Sequence, residues 1–300
     1  MTIHPLDLLE RRGLPAPPAP LPSVVIDSHT HADTTEERSG LDPDTSLALA
    51  ASVGIAGFVQ VGCDVEGSEY AVALAARRPE VVASVAIHPN DAARAGDELD
   101  AMIARIDDLA GRGAHVRAVG ETGLDFYRTT DPLGHAVQRY SFARHIDIAR
   151  RRDLTLVIHD RDAHAEVLAV LDAEASAPRV VMHSFSGDAD IARRFLDRGA
   201  WLSFPGVVTF KTAGPLRDAL RVTPLDRILV ETDAPYLTPV PVRGRPNAPY
   251  LVPHLVRFVA DILARPLDTV CEALLGNTHA AFGGPWAHPG VVVPLPERGA

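Results

Sequence analysis

The sequence is poor in cysteine and almost devoid of lysine. Cys63 and Cys271 are the only cysteines, too few and too far apart for a disulfide framework or a zinc ribbon. Such sparse cysteine fits a reducing cytoplasm. Lys211 is the single lysine among 29 basic residues, so nearly all positive charge rests on arginine, a bias of composition before it is a sign of function. No apolar run approaches the roughly 18 residues that a membrane span requires. The opening stretch, MTIHPLDLLERRGLPAPPAPLP, lacks an apolar segment followed by a small-residue cleavage site, which argues against a secretory signal. A GxGxxG turn is missing too, and with it the usual fingerprint of a dinucleotide-binding open sheet. No internal repeat stands out. The net charge of -10 argues against a broad nucleic-acid-binding surface, because affinity for phosphate backbones comes largely from Lys and Arg. A polyphosphate substrate would have to be met at a local site where cations supply the positive charge.

What is present has the composition of a soluble globular protein, 46% hydrophobic and 23% charged. Residues 15-22 (PAPPAPLP) and 284-300 are Pro-rich and aperiodic. They predict arms outside the core, at 1-23 and 284-300, flanking one domain at 24-283. Within that domain eight short, β-branched-rich runs recur: VVID (24-27), GFVQVG (57-62), VVASVAIHP (81-89), VRAVGE (116-121), LTLVIHD (154-160), RVVMHS (179-184), AWLSFPG (200-206) and RILVETD (227-233). Nearly continuous apolar runs of this length suit parallel strands buried on both faces. Between them lie helical patterns, among them 69-79, 99-113, 138-153, 164-174 and 190-199, several closing on Arg followed by Gly or Pro. Eight strands with intervening helices count out as a (β/α)8 TIM barrel.

The candidate metal ligands fall at the ends of those strands. His29 and His31 follow the first, Glu121 ends the fourth, His159 the fifth, His183 the sixth and Asp233 the eighth. In a barrel all these ends share one rim, where the βα loops build active sites. Six N and O donors exceed what one tetrahedral zinc with an open position uses, and suit two adjacent ions. In His-x-His, residues i and i+2 of an extended segment point the same way and present two imidazoles to one ion. Asp27, on the same face, is expected to orient an imidazole or to ligate weakly. Glu121 at a buried strand end needs compensation, either from two cations that it bridges or from an ion pair with Arg117 or Arg128. His159 and His183 read as ligands or as hydrogen-bonded interior histidines. Asp233 is suited to bind a metal and to take a proton from the attacking water; Glu231, two residues earlier, reads as a buried structural acid or a weaker catalytic candidate. Substrate contacts are expected from Arg161, Tyr127 and Arg128, and from Arg243 and Arg245 in a loop between Ala234 and Pro253 that contains six prolines. His88 faces the substrate or fixes its loop.

Together IDSHTHAD (26-33), VAIHPN (85-90), VGETGLDFYR (119-128), LVIHDRDAH (157-164), VMHSFSG (181-187), ILVETDAPYLTP (228-239), RGRPNAP (243-249) and GNTHAAF (276-282) resemble the TatD family of metal-dependent deoxyribonucleases in order and spacing. The match covers roughly 24-283. The resemblance implies a TIM barrel with two divalent ions (Mg, Mn or Zn) and hydrolysis of phosphodiesters, with DNA, single-stranded or at its ends, as partner and an exonuclease as the expected mode. It implies one ion on His29, His31, Glu121 and Asp233, and a second on Glu121, His159 and His183 with Glu121 bridging. Asp233 and Glu121 are then the catalytic pair. Two departures stand out. Ala248 occupies a position where the family usually has an acid, and TTEERSGLDPD (34-44) is an atypically polar first loop.

Two other functions are compatible with such a chain. A metal-dependent amidohydrolase or lactonase on the same barrel would cleave C–N or carboxylic ester bonds. Its common lysine-bridged form is disfavoured, because the fourth strand carries Glu121 and Lys211 lies after the seventh. A non-catalytic scaffold holding metal for stability would not need an open coordination position.

Overall fold

The computed structural model describes residues 4–174, 177–286 and 294–295. Eight parallel strands, paired in chain order, form the barrel: β1 Val25–Thr30, β2 Ile55–Gly62, β3 Val81–Val85, β4 Val116–Asp125, β5 Thr155–Arg161, β6 Arg179–Met182, β7 Trp201–Phe204 and β8 Ile228–Val230. Helices α1 Pro5–Arg12, α2 Ala32–Ser39, α3 Pro43–Ser52, α4 Val65–Arg77, α5 Pro89–Arg94, α6 Leu99–Ala110, α7 Pro132–Arg151, α8 His164–Ala173, α9 Ala189–Leu196, α10 Gly214–Val222, α11 Val252–Leu263 and α12 Leu267–Ala281 accompany them. The fold is the expected (β/α)8 TIM barrel. Their starts follow local chemistry. Asp42 and Asp131 cap α3 and α7 through backbone N–H groups, each with proline at the first helical position, where proline's missing N–H costs nothing. Among the described residues no helix is long and apolar enough to cross a membrane.

The ring closes between β8 and β1. Asp233 N–H donates to His29 O at 2.9 Å and His31 N–H to Ala234 O at 2.9 Å. One buried cluster contains Val59, Val61, Val82, Ala118, Val157, Val181, Trp201 and Leu229, joined from the end of α12 by Ala281 and Phe282. These alternate positions of β2 to β8 line the barrel interior. The larger cluster lies between strands and helices.

The amino-terminal segment differs from the arm that its composition suggests. It opens with α1, and Leu9, Leu14 and Leu21 are buried in the main core. Tyr250 Oη donates to Pro15 O, and Arg245 and Arg257 donate to carbonyls of Gly13, Leu14, Ala19 and Pro20. Proline content suggested an arm outside the core, while three leucines and these donors bind the segment to the barrel. Most of the carboxy-terminal arm (287–293 and 296–300) lies outside the described residues. The polar first loop is α2 followed by the start of α3.

Candidate metal centre

Alternation along the strands carries the inner face up to the rim. Beyond inner residue Val157 the same face presents His159; beyond Val181, His183; beyond Leu229, Glu231 and then Asp233; and beyond Val61, Cys63. Glu121 breaks this parity. Ala118 points inward, so strict alternation would send Glu121 to the outer side. The β4–β5 register shifts between Val119 and Thr122, which turns Glu121 into the centre, and β4 runs on to Asp125 instead of ending there. Gly123 permits the close passage: at φ +136°, its absent Cβ would stand 2.1 Å from His159 O.

The two oxygens of Glu121 face two different groups of donors. On the Oε1 side lie Cys63 Sγ at 3.3 Å, His31 Nε2 at 3.6 Å and His29 Nε2 at 3.9 Å. Asp233 Oδ1 is 3.4 Å from His31 Nε2 and 4.0 Å from His29 Nε2. On the Oε2 side lie His183 Nε2 at 2.7 Å and His159 Nδ1 at 3.2 Å. Glu121, His29 and His31 are buried, and both nitrogens of His29 lack a hydrogen-bond partner among the described residues. A buried imidazole orphaned at both nitrogens and aimed between two carboxylates is explained by a ligand. The N/O donor set fits divalent cations. The groups of donors close enough to share an ion are His29, His31 and Asp233; His29, Glu121 and His183; His31, Cys63 and Glu121; and His88, Glu121 and His159. Arg117 is no ion-pair partner of Glu121, because its guanidinium donates to carbonyls of Ala114, Phe282 and Gly283, and Glu121 instead stands among His29, His31, His159 and His183.

Outer partners set the tautomers. His31 Nδ1 donates to Val61 O at 3.1 Å and His183 Nδ1 to Glu231 Oε1 at 3.1 Å, so both present Nε2 to the centre. Glu231, fully buried, also accepts Ser184 N–H at 2.8 Å, so it holds the His183 ring from behind. Asp27 does not orient an imidazole. Its carboxylate accepts the Thr232 hydroxyl at 2.5 Å, Thr232 N–H at 2.9 Å and His29 N–H at 3.3 Å. It ties β1 to the chain beyond β8, and burial pushes its carboxyl up to about 7 despite those bonds.

Electrostatics favour bound cations. Burial alone would strip the proton from His31, but the Asp233 and Glu121 carboxylates overcome it and raise that imidazole to about 9. His183 is likewise raised well above its ordinary value, burial being outweighed by Glu121 and Glu231. Burial pushes Glu121 up, yet the surrounding histidines, His183 foremost, hold it well below the carboxylate range. His29 is lowered by burial and by His183 beside it. A pocket that gathers protons onto histidines at neutral pH is one where divalent cations compete for the same lone pairs.

The family described as TatD related DNase matches residues 26–283. The chain belongs to that family. An uncharacterized metal-dependent hydrolase TatD of Mycobacterium tuberculosis (strain ATCC 25618 / H37Rv) is 42% identical over 270 residues, spanning 87% of this chain and 99% of its own. A 3'-5' ssDNA/RNA exonuclease TatD of Cronobacter sakazakii (strain ATCC BAA-894) is 38% identical over 233 residues, 76% of this chain and 86% of its own. The crystal structure of YJJV, a TatD homologue from Escherichia coli K12, superposes with a TM-score of 0.78 at 28% identity, covering 87% of this chain and 98% of that one.

In this TatD-family metal-dependent hydrolase the residues expected to meet substrate are placed unevenly. Arg161 lies over the Tyr127 ring, 4.0 Å from its centroid, and Tyr127 is 60% exposed on the rim. Arg128 is exposed, and its backbone N–H donates to Asp125. The His88 ring packs 4.6 Å from His159, while its Nδ1 accepts Asn90 N–H, so it both fixes its loop and faces the centre. Arg243 stacks on Phe210, and Arg245 is spent on the amino-terminal carbonyls of Gly13 and Leu14, away from any shown contact with the cluster. Three residues escaped the sequence reading. Cys63 was legible from the Val59-Val61-Cys63 alternation. Asp125, buried, accepts from Asn90 Nδ2 and Arg128 N–H and stands 3.5 Å from His159 Nε2. Burial opposes its ionisation, but these donors hold it below the usual range. Arg38, on the atypical α2, lies against the Tyr236 ring and donates to its hydroxyl, which brings that helix beside the loop that follows Asp233.

Proposed function

We propose that this chain hydrolyses phosphodiester bonds of DNA, at single strands or strand ends, and that the histidines around Glu121, with Glu121 and Asp233, would hold two divalent ions able to activate the attacking water. The observation that carries the reading is Glu121, whose Oε1 and Oε2 each face their own set of histidines. That is the disposition of a bridging carboxylate, and paired ions suit in-line displacement at phosphorus. Bound Mg, Mn or Zn would supply an acidified water and neutralise charge on the phosphoryl oxygens.

The chain's own side chains do the rest. Asp233, near His29 and His31, accepts the proton of the attacking water. His88 is held as a hydrogen-bond donor. Its Nδ1 accepts Asn90 N–H, and burial together with neighbouring His159 keeps the ring neutral by lowering it to about 3, so Nε2 carries the hydrogen. That hydrogen serves a phosphate oxygen. The exposed Tyr127 ring, backed by Arg161, offers a base a stacking platform. A net charge of -10 disfavours long duplex tracking, and the Cronobacter relative named an exonuclease supports attack from an end.

The test uses single-stranded DNA labelled at either end, with wild type, His29→Ala and Asp233→Asn. Stepwise shortening by wild type that is lost on chelation and in both variants is expected. No cleavage with Mg, Mn or Zn while two ions remain bound would overturn the reading and direct the search to carboxylic esters, lactones and amides.

A further inference from the structure

Resting on the metal-centre reading above, we propose that Cys63 is a direct thiolate ligand on the Glu121 Oε1 side, which makes that position selective for thiophilic divalent ions of the zinc class. His31, Cys63 and Glu121 each bring one ligand atom to within 4.8 Å of the others. A tetrahedral ion about 2.3 Å from sulfur and about 2.0–2.1 Å from N or O spaces sulfur roughly 3.5–3.6 Å from an N or O donor, and N roughly 3.3–3.4 Å from O. The Cys63 Sγ–Glu121 Oε1 distance is 3.3 Å and the His31 Nε2–Oε1 distance 3.6 Å. The sulfur is therefore within about 0.3 Å of ligand spacing from Glu121, and it also lies 3.9 Å from His31 Nδ1. An independent sign of a ligand at the same oxygen is His29, fully buried, with both ring nitrogens unpartnered among the described residues and Nε2 3.9 Å from Glu121 Oε1.

The surroundings supply access. Cys63 and His31 border a cavity of about 280 Å³ that is also lined by Asp33, Asp64, Glu66 and Tyr70. Three carboxylates at such an opening concentrate cations and repel a polyanion, so this cavity suits the entry of an ion and not the passage of DNA. On binding, one metal–sulfur bond forms and the S–H bond breaks heterolytically. The proton that Cys63 had donated to Glu121 leaves to buffer, and no electron changes hands. Thiolate ligation shifts preference away from Mg, which favours oxygen donors, towards Zn, Co or Cd.

The experiment loads chelator-stripped protein with Co(II) and follows near-ultraviolet absorption, with no DNA present. A sulfur-to-cobalt charge-transfer band is expected in wild type and in Cys271→Ser, whose substituted thiol is buried elsewhere, and its loss in Cys63→Ser. Chelator competition should show zinc affinity falling at least about tenfold in Cys63→Ser, with Mn affinity held within about twofold. Stoichiometric cobalt without the band in wild type, or a band that survives Cys63→Ser, overturns the thiolate assignment and leaves the metal centre standing. Wild type that binds no cobalt overturns both.

Discussion

Replacing Glu231 isolates what an outer carboxylate contributes to the centre. Glu231 is fully buried, accepts His183 Nδ1–H at 3.1 Å and also accepts Ser184 N–H at 2.8 Å. Its charge raises the basicity of His183, and its position holds Nε2 on Glu121 Oε2. Loss of such a partner lowers metal affinity by about 10–100-fold, or about 1.4–2.7 kcal/mol. Glu231→Gln keeps an oxygen for both N–H groups and removes the charge, so it belongs near the tenfold end. Glu231→Ala also leaves two buried donors unsatisfied, at a further cost to folding of about 1–3 kcal/mol, and belongs near the hundredfold end. The assay is chelator competition for Mn and Zn, with circular dichroism to confirm the fold. An affinity in Glu231→Ala within about twofold of wild type would refute the orienting role. So would a Glu231→Gln protein with full affinity and abolished turnover, an outcome that would make Glu231 a proton carrier.

Three further perturbations probe other parts of the argument. His145 is buried, accepts Ile87 N–H at Nε2 and donates from Nδ1 to Ser141 O; burial, its largest influence, lowers it to about 4. A folded value below the ordinary 6.5 gives stability that is complete above that pH and lost as pH falls towards 4. Denaturant titrations at about pH 7 and about pH 4.5 should show a loss of roughly 2 to 3 kcal/mol that His145→Gln lacks; an equal loss in both proteins contradicts it. Arg245→Ala frees the Gly13 and Leu14 carbonyls and should lower stability by about 1 kcal/mol, or Tm by roughly 2 °C, without changing kcat. A turnover defect with unchanged Tm would instead return Arg245 to the substrate. His88→Phe retains the ring packing but loses the donor, and should lower kcat on DNA by about tenfold or more while metal affinity stays put. A parallel fall in metal affinity would make His88 a ligand.

How much of this could be read along the chain depends on what local pattern encodes. Strand and helix positions follow side-chain periodicity, a property of neighbouring residues, and the eightfold β/α alternation was therefore legible. So were His29, His31, His159, His183 and Asp233, because once the strands are known alternation places their side chains on one rim. Boundaries were less faithful: the run at 81-89 is strand only to Val85, and Pro89 opens α5. Glu121 was placed at the end of the fourth strand, whereas β4 runs on to Asp125 and the register slip that turns Glu121 inward arises from pairing with β5. Contacts between distant segments left no local trace. Asp27 reaches Thr232, Glu231 reaches His183, and Arg245 reaches Gly13 and Leu14, each across scores of residues. Cys63 was passed over although the Val59-Val61-Cys63 alternation carries it to the rim, and only the folded barrel puts its sulfur beside Glu121. The sequence by itself determined the barrel, its rim and the donor types, because hydrophobic period and residue chemistry are local. The tertiary structure decided which donors stand together, which way Glu121 faces and which carbonyls Arg117 and Arg245 bind, because those depend on distances that close only when β8 returns to β1.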